Sequence, residues 1–397
     1  MTPHTNGTDA TLRGLHRAWW MLVLASSLLT ALGVELLGRV WSPPEVLRWA
    51  ALTAAVVGVQ LALLRRNLRQ NHRPGDDTVL AGLGPANAIT LARGLAIAAF
   101  AGFLAAPLPL IGALAWASAI LFAASALPDF LDGAVARATN RVTVLGGILD
   151  MEYDCLANLA VSLLVVRLGK VPWWYISLGL ARYLFVAGIW WRERHQMPVY
   201  DLTPSNTRRL AAGFQMAFFC VALWPIFGAP ATAVAGALFV APILLGFVRD
   251  WLIVSGTVNP LAPGYRRFER WRDWTGLWLP PLLRWIGALA AAVFLLPALR
   301  QAPLVAALAS AGAVSLALGI GARVGAIGLL VATLAGVALV GFQPYDAALM
   351  IATIPLLYLG AGRFALWRGE DVLFAHRLVA EPGDRPGDPP GEKSDPS

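Results

Sequence analysis

Asp129-Phe-Leu-Asp132-Gly133-Ala-Val-Ala136-Arg137, then eight residues, then Gly146-Gly-Ile-Leu-Asp150-Met-Glu-Tyr-Asp154 is the stretch on which the reading of this chain turns. It lies between long apolar runs, where carboxylates are costly and mark function. On a first helix Asp129 and Asp132 are three residues apart and share a face. On a second helix Gly146, Asp150 and Asp154 follow at intervals of four and form one stripe. Four carboxylates presented by two neighbouring helices would repel one another, and one arginine cannot neutralise four. Hard divalent cations can, and an all-oxygen donor set suits magnesium or manganese, whereas zinc would call for His or Cys. Gly133, Ala136 and Gly146 leave space for a ligand to approach the backbone. A diphosphate held by metal ions fits such a place, because the metals neutralise charge developing on a leaving group.

Around this stretch the chain reads as membrane-embedded and all-α. Of its 397 residues 58% are hydrophobic and 14% charged, against about 25% charged in ordinary soluble domains. Apolar runs near the ~20 residues needed to cross a bilayer recur from end to end. They predict a polytopic helical bundle of about twelve spans. The net charge of +8 resides in short arginine clusters between the runs. Arg13 and Arg17, Arg65 to Arg73, Arg137 and Arg141, Arg192 to Arg209, Arg266 to Arg272, and Arg363 to Arg377 all fall on one side if both termini face the cytoplasm. Paired tryptophans at 19–20, 173–174 and 190–191 flank apolar runs as interface anchors do. Nucleic acid is therefore not expected as a partner. Two cysteines, Cys155 and Cys220, give neither a disulfide framework nor a metal cage.

The predicted organisation is two leading spans in residues 1–80, a six-span core in 81–256 holding the carboxylates, a basic Trp-rich cytoplasmic linker in 257–278, a four-span module in 279–377, and a disordered Pro/Gly/Asp-rich tail in 378–397. No internal repeat relates 81–256 to the rest, and the aspartates sit near one membrane face. Both points count against the competing reading, an ion- or proton-coupled transporter using the aspartates as a pathway.

The quoted pattern, D-x-x-D-G-x-x-A-R, eight residues, then G-x-x-x-D-x-x-x-D, resembles the signature of CDP-alcohol phosphatidyltransferases at every specified position: Asp129, Asp132, Gly133, Ala136, Arg137, Gly146, Asp150 and Asp154. The preceding Asn87-Ala-Ile-Thr90-Leu-Ala-Arg93 is similar to the family's N-x-x-T-x-x-R element. The resemblance covers about residues 81–256. It implies that Asp129, Asp132 and Asp150 hold Mg2+ or Mn2+, and that Asp154 is the general base on the acceptor hydroxyl while also touching a metal. It further implies that Asn87, Thr90, Gly133, Ala136, Arg137, Thr143 and Gly146 line the CDP-alcohol site. The implied reaction moves a phosphatidyl group from a CDP-alcohol such as CDP-diacylglycerol to an alcohol, releasing CMP, in phospholipid biosynthesis. Its place is the bacterial cytoplasmic membrane, with the site facing the cytoplasm, among membrane lipids and with a second copy of the chain as a candidate partner.

Arg93, Arg141 and Arg182 are the candidates for an anionic acceptor, since guanidinium groups bind phosphate oxygens in a fork. In family members that use glycerol phosphate the third aspartate is often followed by Pro and the fourth by Lys. Here Met151 and Cys155 stand there. The acceptor stays open among glycerol phosphate, inositol phosphate, serine, phosphatidylglycerol and another polyol. The last four spans resemble a DoxX-type module through Gly321–Gly325, Pro344-Tyr-Asp346 and Gly360-Ala-Gly-Arg363.

Overall fold

A computed structural model describes residues 4–76, 78–127, 142–202, 206–260, 262–298, 302–367 and 369. Among these are twelve α-helices of more than one turn and no β-strand. They are α1 (His4–Leu37), α2 (Pro43–Asn67), α3 (Gly84–Gly102), α4 (Gly112–Ala126), α5 (Val144–Arg167), α6 (Ile176–Arg194), α7 (Asn206–Ala222), α8 (Ala229–Val254), α9 (Pro263–Ala290), α10 (Pro303–Leu318), α11 (Ala322–Val340) and α12 (Pro344–Leu359). Six stretches are long and apolar enough to cross a membrane: Thr11–Leu37, Pro43–Gln70, Gly84–Ala105, Ala229–Val254, Pro263–Leu295 and Ala322–Val340. Four shorter apolar helices accompany them. The protein is an integral membrane protein, because only closed hydrogen-bonding structures such as helices satisfy the backbone inside hydrocarbon.

The chain forms two compact units, Met1–Gly188 with Met216–Ala229, and Ile189–Gln215 with Pro230–Ser397. In the first unit α3 is the central element. Its apolar window is 56% buried, against 6% for α1 at the edge. Small residues make that centrality possible. A Cβ on Gly94 would lie 2.5 Å from the ring of Tyr153 on α5, and one on Gly102 would strike Thr53 and Trp49 of α2. Trp49 also donates its indole N–H to the Ala99 carbonyl at 3.2 Å, and Gln60 donates to the Gly94 carbonyl at 2.9 Å. Leu15, Leu64, Leu68, Leu91, Leu145, Leu149 and Tyr153 form a buried cluster joining α1, α2, α3 and α5. The two leading helices are thus packed into the first unit and are not an appendage to it.

The second unit contains α8 to α12. The α10–α11 pair closes on glycines: a Cβ on Gly312 would stand 2.9 Å from the Gly325 carbonyl oxygen. The turn between them is left-handed at Gly319 and Gly321, with φ of 66° and 60°, where a side chain would be strained. Arg284 of α9 is buried and donates to the carbonyls of Leu316 (2.8 Å) and Ala361 (2.9 Å), tying α9 to the C-terminal end of α10 and to the segment after α12.

Residues 263–278, expected as a linker, are helical, and α9 runs from Pro263 into the apolar segment without interruption. The physical reason is local. Pro263 stands in the first turn, where its missing N–H costs nothing. The two internal prolines, Pro280 and Pro281, are accommodated by a compensating bond. Pro281 has no N–H to give the Leu277 carbonyl, and the Arg363 backbone N–H takes that acceptor at 2.9 Å. Gly362, at φ 66°, lies against both proline rings.

Candidate active site

The first two turns of α3 and of α5 lie side by side in the first unit and assemble the site. Thr143 is in extended conformation and N-caps α5, its hydroxyl accepting from the Gly146 N–H at 3.0 Å. Asn87, one turn into α3, donates to that same hydroxyl at 3.2 Å. Gly146 is required where these meet: a Cβ there would be 2.6 Å from Asn87 Oδ1 and 3.1 Å from Thr143 Oγ1. Asn87, Thr90 and Thr143 are all buried, and Thr90 donates to the Ala86 carbonyl at 3.2 Å.

One turn deeper, Arg93 of α3 is 3% exposed and points at the aspartate stripe of α5. Its guanidinium donates to Asp150 Oδ1 at 2.6 Å and to Asp154 Oδ1. The spacing of four along a helix aligns the two carboxylates so that one planar fork reaches both. Their side chains are 41% and 38% exposed while the arginine's is 2% exposed. The cation is therefore the buried foundation, and the carboxylates face outward from it. Arg93, expected as an acceptor ligand, is placed on the aspartates themselves. Arg182 of α6, the other described acceptor candidate, sits against the Cys155 thiol.

Asp129, Asp132, Gly133, Ala136, Arg137 and Arg141 lie outside the described residues. Among the described residues no group of three or more His, Cys, Asp or Glu side chains gathers to hold a metal. The described half of the expected set nonetheless fits a hard cation. Asp150 and Asp154 offer only carboxylate oxygens, half-exposed and on one face, and the second oxygen of Asp150 accepts from no side chain among the described residues. His and Cys are not among these donors, which suits magnesium or manganese over zinc.

Asn71 and the backbone of His72, neither among the expected site residues, join the site. Asn71, fully buried before α3, donates to the Leu80 and Gly82 carbonyls at 3.1 Å each and accepts from Asn87 at 3.4 Å. The Val144 N–H, at the start of α5, donates to the His72 carbonyl at 3.0 Å. The loop after α2 thus holds both the start of α3 and the start of α5. An asparagine in a basic loop carries no periodic signal by which it could have been found.

A cavity of about 420 Å³ in the same unit lies at the other end of α5, lined in part by Leu108, Pro109, Arg167, Lys170, Leu223 and Pro225. It is remote from the aspartates. Its cations serve the fold: Arg167 donates to the Ala106 carbonyl at 2.7 Å, and Lys170 to the carbonyls of Trp224 and Phe227. Burial there pushes the Lys170 ammonium below its usual pKa.

Comparison with known proteins fits this geometry. The CDP-alcohol phosphatidyltransferase family matches residues 84–251, which include α3 and α5 with every site residue described above except Asn71 and His72. Proteins named "Putative cardiolipin synthase" from Mycobacterium tuberculosis and Mycobacterium bovis are 32% identical over 115 residues, covering 28% of this chain and 54% of each relative. The chain thus spans about half the length of the curated relatives it matches. No solved structure matches it. The Asn87–Arg93 element of α3 and Gly146, Asp150 and Asp154 of α5 fall within the matched segment, and residues 84–251 are a CDP-alcohol phosphatidyltransferase domain carried in a longer membrane chain.

Proposed function

We propose that the protein transfers a phosphatidyl group from a CDP-alcohol such as CDP-diacylglycerol to an alcohol acceptor, with release of CMP. The observation that carries this reading is the pair of outward-facing carboxylates on α5, held together by one buried guanidinium beside the Asn87–Thr143 pair.

The acceptor oxygen attacks the phosphorus that bears the diacylglycerol, and the bond from that phosphorus to the bridging oxygen breaks, so the electron pair leaves with CMP. Asp154 takes the hydroxyl proton as the new P–O bond forms, the work of a positioned general base. Arg93 holds Asp150 and Asp154 in register, one planar guanidinium reaching both carboxylates. Asn87, Thr143 and Gly146 form the floor on which the CDP portion rests, Gly146 giving room for close approach. Members of this family generally depend on a divalent metal. Asp150, with Asp129 and Asp132, would hold it, and when bound it would neutralise charge on the diphosphate.

For the acceptor, phosphatidylglycerol is the first choice. Cardiolipin is phosphatidylglycerol carrying a second phosphatidyl group, and the similar mycobacterial proteins bear that product in their names. Met151 and Cys155 stand where glycerol-phosphate users often carry Pro and Lys. The arginine distribution supports a site on the cytoplasmic face, with both termini on that side, in a bacterial inner membrane.

The test is incubation of the purified protein with CDP-diacylglycerol and, separately, phosphatidylglycerol, glycerol phosphate, inositol phosphate or serine, with magnesium or manganese, scoring CMP and the lipid product. CMP release with a matching phospholipid, abolished by excess EDTA and restored by either metal, is expected. Full activity in EDTA would reject the metal assignment. No CMP with any acceptor would reject the reaction.

A further inference from the structure

The amphipathic first half of α9 is not used by the site. Along it Phe268, Trp271, Trp274 and Trp278 recur every three or four residues and are exposed, Trp271 at 62% and Trp274 at 58%. The same stripe continues through Leu282, Trp285 and Leu289 in the apolar half of the helix, where each is again exposed. The rings form a ladder, with Tyr265–Phe268, Phe268–Trp271 and Trp274–Trp278 centroids 6.2, 6.5 and 6.3 Å apart. A side chain on this stripe in the apolar half meets lipid, and for the same face to meet lipid in the first half the helix has to turn at Pro280–Pro281 and run along the boundary.

Charge is segregated around the same helix. Residues 263–278 hold four arginines against two carboxylates. Arg272 engages both acids, Asp273 at 3.2 Å and Glu269 at 4.0 Å, on the side away from the tryptophans. Arg267 and Arg270 pair with no carboxylate among the described residues, and at 100° per residue they fall beside Trp271, Trp274 and Trp278. An apolar, Trp-rich face bordered by uncompensated guanidinium groups matches the boundary of an anionic bilayer, with rings at the head-group level and arginines on phosphate. The junction with the spanning half is fixed. Pro280 and Pro281 interrupt the hydrogen-bond ladder, Gly362 packs on both rings, and the Arg363 guanidinium lies 4.7 Å over the Trp278 ring.

We propose that residues 263–279 are an interfacial helix that lies on the membrane surface and binds anionic phospholipid head groups. The proposal does not depend on the transferase reading.

The test is a nitroxide scan, one position at a time from 264 to 279, in full-length protein with Cys155→Ala and Cys220→Ala. The protein is placed in nanodiscs of phosphatidylcholine alone or of phosphatidylcholine with phosphatidylglycerol, and oxygen and nickel-chelate accessibilities are compared. Expected is a 3.6-residue oscillation, with oxygen access highest at 268, 271, 274 and 278. It should be deeper in the anionic discs, and shallower at high salt or with Arg267→Gln and Arg270→Gln together. Nickel access all round the helix would overturn the surface placement. Equal depth in both lipids would overturn the anionic selectivity. Labels on the stripe shielded from both reagents would show a protein partner in place of lipid, and would overturn the proposal as well.

Discussion

At the residue scale, the site rests on a division of labour between Arg93 and the carboxylates it holds. Asp154→Asn removes the base but keeps a side chain of the same shape that still reaches Arg93. Turnover should fall by ~100-fold or more, the scale of a positioned base, while CDP-lipid affinity in an equilibrium binding assay stays near wild type. A near-wild-type rate for this variant would reject the role. Asp150→Asn should weaken metal-dependent CDP-lipid binding as well. Gly146→Ala tests packing: its methyl would press within 2.6 Å of Asn87 Oδ1. Asn87 must then leave Thr143, and KM for the CDP-lipid should rise by more than kcat falls. An unchanged KM would mean that the Asn87–Thr143 pair does not shape the nucleotide site. Arg93 was legible as the last residue of the Asn87–Arg93 element and as a candidate for an anionic acceptor. Its partners were not, since they lie 57 and 61 residues further along the chain.

At the element scale, α9 and α5 show how local sequence and tertiary context share the work. The stripe of Gly146, Asp150 and Asp154 on α5 was readable from their spacing of four, whereas the capping of that helix by Thr143 came from the structure. The extent of α9 was not readable, because the basic, Trp-rich stretch 257–278 was expected as a linker. The fold retains the helix by supplying from Arg363 the hydrogen bond that Pro281 cannot make. Glycine at 362 is what lets that loop approach. Gly362→Ala puts a Cβ against both proline rings at a left-handed φ, a conformation costing a non-glycine residue ~1–2 kcal/mol before any clash. The thermal midpoint of the reconstituted protein should drop, with CMP release per folded molecule unchanged. An unchanged midpoint would show that this loop does not brace α9.

At the scale of the molecule, every described site residue, Asn71 included, belongs to the first compact unit. The second unit makes its own contacts: Tyr358 of α12 packs on Phe214 and Phe239 and donates to the Phe239 carbonyl at 3.2 Å. Ending the chain after Val258, between α8 and α9, therefore strips Phe214 and Phe239 of their partner but leaves the α3–α5 site intact. The expected result is a lower melting temperature with CMP release retained in the same lipid. A stable truncation that binds CDP-lipid without turnover would show that the last four helices take part in the reaction. By itself the sequence determined what depends on short-range pattern: helices from apolar runs, membrane residence from their length, and a candidate site from aspartates at helical spacing beside small residues. Only the tertiary structure decided that Arg93 lodges under Asp150 and Asp154, that Asn71 ties the loop after α2 to the start of α3, and that α9 continues through its prolines. Each of these is a contact between separate segments of the chain, and the 3.6-residue repeat specifies which face of a helix is apolar, not which neighbour will cover it.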